Sequence, residues 1–247
     1  MPLKKQKNKP SSYIDILSND IEIHNMRNLK SAKLISINGK GSLSVSHNKT
    51  WENRTISQIK LNNIPLIQIN SPACPTCESI IATGYGIEKA KCKELINISD
   101  KINSDFISLN KSIDDLKPLL LLLEKGLYVI ADTICYPTDG EGNFFWDVPD
   151  EPVECKATAV AHIPKTFEAV TGLPAFLYPT QNTDCYNKER VKYYADRFKE
   201  DDRHLPRAIV YNFSELISFI IDGHHKACAA TLAKKASQMY NDYSVHR

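Results

Sequence analysis

The sequence predicts a mixed α+β fold. From residue 112 onward, short apolar β-branched runs alternate with helical patterns. Residues 33–70 hold a series of β-rich segments, and residues 189–199 and 225–239 have helical composition and spacing. A chain of 247 residues can bury a sizeable core and suggests one large or two small domains. The expected division is a flexible basic arm over 1–12, a β-rich unit over 13–111 and an α/β domain over 112–247.

Taken in order, residues 33–37 and 42–45 flank Asn38-Gly39-Lys40-Gly41, which reads as a hairpin turn. Strands are expected at 55–61 and 64–69, separated by Asn62-Asn63. Residues 71–111 are more polar and read as helix and loop. Asp114 or Asp115 is placed to cap a helix over 116–125, with Pro118 in its first turn and Gly126 beyond its end. Residues 127–134 (LYVIADTI) form a strong strand pattern, and 144–146, 158–163 and 175–178 are shorter ones. In 189–199, Val191, Tyr194 and Phe198 share one helical face. Strands at 208–211 and 217–221 precede an Ala-rich helix over 225–239.

The formal charge is +2, with 42% hydrophobic and 24% charged residues, as in an ordinary soluble protein. Lys4, Lys5, Lys7 and Lys9 stand in the first ten residues, which leaves the other 237 at −2. The arm therefore reads as a solvated tail, with weak, screened attraction to nucleic acid as the minor alternative. No apolar segment follows the charged N-terminus, and the run 119–123 is too short to span a bilayer. Seven scattered Cys fit reduced thiols, so a cytoplasmic location without membrane contact is expected.

Two thiols stand at Cys74 and Cys77 in a CPTC motif. They can share a Zn²⁺, which needs four ligands; Cys92, Cys135, Cys155 and Cys185 stand at no recognised spacing for the second pair. They can instead open a helix as a redox pair, the placement seen in glutaredoxin-like proteins, or have no separate chemistry. The loops 135–143 and 178–185 both carry Tyr-Pro-Thr after an apolar run. Asp139, Glu141, Asp184 and Glu189, in or just after them, are candidates to orient an acceptor or hold Mg²⁺; ordinary turn chemistry is the plain alternative.

The most informative segment is 219–235, FIIDGHHKACAATLAKK. A buried strand ends at Asp222-Gly223, and an Ala-rich helix begins with His224, His225 and Lys226. The first N–H groups of a helix lack internal partners and carry the positive end of its dipole, so they suit an anion. Three basic side chains in the first turn oppose that dipole, which points to function rather than helix stability. The plain alternative is a Gly turn with Asp222 as N-cap.

This segment resembles the DGHHR-type motif of the ParB/sulfiredoxin superfamily and is similar to the phosphate-holding turn of the free-serine kinases. Lys226 stands where those families have Arg, and His224 where sulfiredoxins have Cys, so sulfiredoxin chemistry is not expected. The resemblance implies a ParB/sulfiredoxin-like C-terminal domain that holds nucleotide phosphates at Gly223, His224, His225 and Lys226, just after Asp222. It implies ATP or ADP with Mg²⁺ and a kinase-like transfer to a small molecule. His224 and His225 would then act on the phosphoryl group, and an acid such as Asp139 or Glu189 on the acceptor. Lys226 is expected at the rim of a cleft, contributing little to stability. The alternatives are a ParB-like DNA-associated nucleotide-binding module, or a zinc or thiol redox protein centred on Cys74 and Cys77.

Overall fold

The computed structural model describes residues 12–18, 31–50, 54–71, 81–84, 92–135, 177–181, 185–200, 205–213, 217–233 and 237–244. It is a mixed α+β fold, as the sequence predicts. The strands are β1 (Tyr13–Ser18), β2 (Ser31–Asn38), β3 (Leu43–Lys49), β4 (Thr55–Leu61), β5 (Ile64–Ser71), β6 (Ile81–Gly84), β7 (Gly126–Cys135), β8 (Leu177–Tyr178), β9 (Ala208–Phe213), β10 (Ile217–Asp222) and β11 (Ser237–Ser244). The helices are α1 (Lys93–Ile102), α2 (Leu109–Leu120), α3 (Lys188–Glu200) and α4 (His224–Leu232).

Seven strands form one sheet in the order β1-β2-β7-β11-β9-β10-β8, and β3-β4-β5-β6 form a second, antiparallel sheet. In the large sheet β11 runs parallel to β9 and β8 parallel to β10; the other pairs are antiparallel. Because β2 pairs with β7, strands from before and after residue 112 share this sheet. One core also spans that point: Ile35, Ile59, Ile67, Ile98, Leu116, Ile130, Ile209 and Phe219 belong to a single buried cluster.

Three elements differ from expectation. The hairpin at 38–41 does not form, because β2 and β3 belong to different sheets. The chain there crosses the end of α2 instead: Lys40 and Leu43 donate backbone N–H bonds to the carbonyls of Leu121 and Leu122, both at 2.8 Å. A Cβ at Gly39 would lie 2.1 Å from the Leu123 carbonyl oxygen, so Gly39 serves a close backbone approach and not a two-strand turn, while Gly41 takes a positive φ of 69°. A two-residue hairpin turn does form between β4 and β5, where Asn62 and Asn63 both take positive φ (51° and 65°).

The helix after residue 108 starts earlier than predicted. Ser108 caps α2 by accepting from the Lys111 N–H at 3.3 Å, so Pro118 falls in its last turn. Finally, α4 ends at Leu232, and residues 237–244, partly read as helix, form β11 between β7 and β9. The expected elements at 144–146 and 158–163 lie outside the described residues. Among the described residues, no helix is long and apolar enough to cross a membrane.

Candidate functional site: the turn between β10 and α4

β10 has neighbours on both sides, β9 and β8, and its Phe219, Ile220 and Ile221 are buried. It ends at Asp222, and Gly223 turns the chain directly into α4. Gly223, not Asp222, is the N-cap, and it lies in the left-handed region at φ 103°. A side chain there would be strained, and its Cβ would stand 2.6 Å from the Cβ of Ala208 on β9. Gly223 thus permits both the turn and the close seating of α4 on the sheet. Small residues complete that seating. Ala227 packs with Leu177, Ala208, Val210 and Ile220, while Ala229 and Ala230 pack with Val191, Tyr194 and Phe198, chiefly of α3.

The start of α4 borders a cavity of about 220 Å³, lined by Asp222, Gly223, His224, His225 and Lys226 together with Leu95, Asn103, Gln181, Arg190, Tyr194 and Ile221. The expected residues of the turn are therefore brought together, but their roles divide. His224 is buried, and its Nε2 accepts the Thr180 N–H at 3.0 Å. Thr180 is fixed in turn by its hydroxyl, which donates to the Ile220 carbonyl at 2.6 Å. Burial, with His225 adding repulsion, pushes the His224 pKa down to about 3, so the ring is neutral with its proton on Nδ1.

His225 is arranged the same way. Its Nε2 accepts the Asn187 N–H at 2.9 Å, which again leaves the proton to Nδ1. Burial lowers its pKa, and the Arg190 charge adds to the effect. Asn187 also receives the Arg190 N–H on its side-chain oxygen at 3.0 Å, capping α3. One residue therefore starts α3 and orients an imidazole of α4.

Lys226 departs from the expected rim position. It is buried, and its Nζ donates to the carbonyls of Ile102 and Arg207, each at 2.9 Å, with Asp222 Oδ2 at 3.8 Å. Burial lowers its pKa to about 8 against the attraction of Asp222, with Arg190 lowering it further. Its ammonium is a strut between α1, β9 and α4. The site below it is also tied down: Arg207, buried, pairs with Asp132 of β7 through Nε–Oδ1 at 2.9 Å and lies 4.2 Å from the centre of the Phe106 ring.

Of the other predicted residues, Glu189 is exposed in the first turn of α3 and is not among the cavity's lining residues. Asp139, Glu141, Asp184, Cys74 and Cys77 lie outside the described residues. Among the described residues no group of three or more His, Cys, Asp or Glu could hold a metal ion, and Cys92 and Cys228 are free thiols.

The sequence reading missed Asn103, Thr180, Gln181, Arg190 and Tyr194. Thr180 and Gln181 had a signal, since they belong to the second Tyr-Pro-Thr loop, which was singled out for its polar groups. Arg190 and Tyr194 had only their i, i+4 spacing on one helix. No family model, curated protein or solved structure matches this chain.

Proposed function

We propose that this protein binds the phosphate of a nucleoside di- or triphosphate in the cavity at the head of α4. The observation that carries the reading is Gly223 at φ 103°, which opens the start of α4 onto a 220 Å³ cavity lined by Asp222, His224 and His225. No side chain caps the first N–H groups of α4, and such groups attract an anion. Two neutral imidazoles, each fixed through Nε2 by a backbone N–H, add oriented dipoles without a desolvated charge. The resemblance to the ParB/sulfiredoxin-like turn agrees with this reading and supplies its nucleotide and Mg²⁺.

Binding and electrostatic stabilisation of a phosphate come first in this reading. A kinase-like transfer to a small molecule would draw on Asp222, the sole carboxylate among the cavity's lining residues. Its half-buried side chain could accept a proton from an acceptor hydroxyl. His224, held neutral with Nε2 occupied, would act as a hydrogen-bond donor and not as a general acid. The DNA-module and thiol alternatives draw on residues 1–10 and on Cys74 and Cys77, all outside the described residues.

The test is a thermal-shift screen of the full chain with ATP, ADP, CTP and GTP, with and without Mg²⁺. A ligand at about a hundred times its Kd stabilises by ~2.7 kcal/mol, which is a rise of several degrees. No shift with any nucleotide would overturn the reading.

A further inference from the structure

Three charged side chains line the cavity: Arg190, Asp222 and Lys226. Two of them are committed to each other and to the fold. The Lys226 ammonium is held by two backbone carbonyls and faces Asp222. To reach a ligand it would have to leave two buried carbonyl oxygens unpaired.

Arg190 is in a different situation. It forms no ion pair among the described residues, and it lines the cavity beside Tyr194, one turn further along α3. The Tyr194 hydroxyl is itself anchored, donating to Asn103 Oδ1 at 3.0 Å. The guanidinium is thus not neutralised by a carboxylate partner among the described residues, and its charge is felt by both His225 and Lys226. Five N–H donors in a planar fork leave most of its bonding capacity open. With both imidazoles neutral, the lining carries one net positive charge. The cavity, at about 220 Å³, is below the range that engulfs a drug-sized ligand, roughly 300–1,000 Å³. It suits a head group better than a whole nucleotide.

We infer that Arg190 is the residue that grips the ligand, its guanidinium forking onto two oxygens of a terminal phosphate, while the rest of the ligand stays outside the cavity and Lys226 never leaves its strut. This rests on the phosphate reading above. It reassigns the ligand-holding charge from the turn to α3. Asp222, pointing its carboxylate at Lys226, keeps that second charge away from the anion.

Isothermal titration of the full chain with ATP and with pyrophosphate separates the two ideas. Arg190→Gln should weaken both ligands by about ten- to a hundredfold, the loss of a charge-assisted bidentate contact. Arg190→Lys should recover part of that affinity, because it keeps the charge and loses the fork. Glu189→Gln, its exposed neighbour, should bind no more weakly than the wild type. All variants should melt within a few degrees of the wild type without ligand, which shows that the fold is intact. Arg190→Gln binding as tightly as the wild type would overturn the assignment of Arg190 and leave the phosphate reading standing. A wild type that binds neither ATP nor pyrophosphate would overturn both.

Discussion

The ammonium of Lys226 donates to the carbonyl oxygen of Ile102 at 2.9 Å, across 124 residues of sequence. Ile102 is the last residue of α1, so its carbonyl has no partner within the helix. Lys226 supplies that partner from the first turn of α4, and its second bond, to Arg207, fixes the start of β9. A single point charge with three donors suits two carbonyls and a carboxylate around one atom. A planar guanidinium does not, which accounts physically for Lys at a position where the resemblance expects Arg.

Lys226→Met should therefore destabilise the protein by about 2–4 kcal/mol, since two buried carbonyls lose their donor. Lys226→Arg should also destabilise it, despite the retained charge. Urea unfolding midpoints measure both. The sequence-based expectation of an exposed, dispensable Lys would be restored by unchanged midpoints.

Gly223→Val should cost about 2–4 kcal/mol, from left-handed strain together with overpacking against Ala208. Gly223→Ala should already show most of it, because the 2.6 Å approach involves the Cβ itself. Ala208→Gly in the Gly223→Ala background should recover part of the loss by removing the contacted methyl. Equal stability of Gly223→Ala and wild type would mean that the turn can relax away from β9.

What could be read from the sequence followed from local rules. The alternation in β4 and β5, the Asn62-Asn63 turn, the apolar runs of β7, β9 and β10, and Gly223 each carry their own signal. The failures came where distant partners decide. The Ala-rich helix expected over 225–239 ends at Leu232, and residues 237–244 bridge β7 and β9 instead, pairing on both sides overriding propensity. Asn38-Gly39-Lys40-Gly41 has hairpin composition, but its backbone bonds go to the end of α2. Lysine is rarely buried, and the carbonyls that make it possible at 226 are 124 and 19 residues away. Arg190 looks like any polar residue on an amphipathic helix until the turn after β10 is placed beside it.

Asp132→Asn should be among the most damaging polar substitutions. It leaves the buried Arg207 guanidinium without its counter-charge, and breaking such a pair costs about 3–5 kcal/mol. Arg207→Met alone should be comparably costly because it strands Asp132. The double change Asp132→Leu with Arg207→Met should recover much of the loss, since a packed apolar pair can replace a buried ion pair. Calorimetric melting of the wild type, Asp132→Leu, Arg207→Met and the double variant gives the cycle. A double variant as unstable as the sum of the singles would show that the pair is not one energetic unit.

The acid side of the stability profile should report His224. Its pKa lies near 3 in the folded protein and at 6.5 when solvated. Between those values the unfolded chain binds more protons than the folded one, so stability rises with pH across this window. The full contribution is present above about pH 6.5 and is lost as the pH falls toward 3. His225 is lowered too and acts in the same direction. One proton contributes at most about 1.4 kcal/mol per pH unit. His224→Gln keeps an oxygen able to accept the Thr180 N–H but cannot titrate, so its urea midpoints should fall less steeply between pH 6.5 and 4 than those of the wild type. Protonation of the wild-type ring also removes the lone pair that Thr180 uses, so the turn should loosen before the sheet does. Hydrogen exchange at the Thr180 amide should then accelerate in the wild type below pH 5, beyond the intrinsic pH effect, and not in His224→Gln. Parallel urea profiles for the two proteins would mean that this imidazole is not the buried neutral group that its contacts describe.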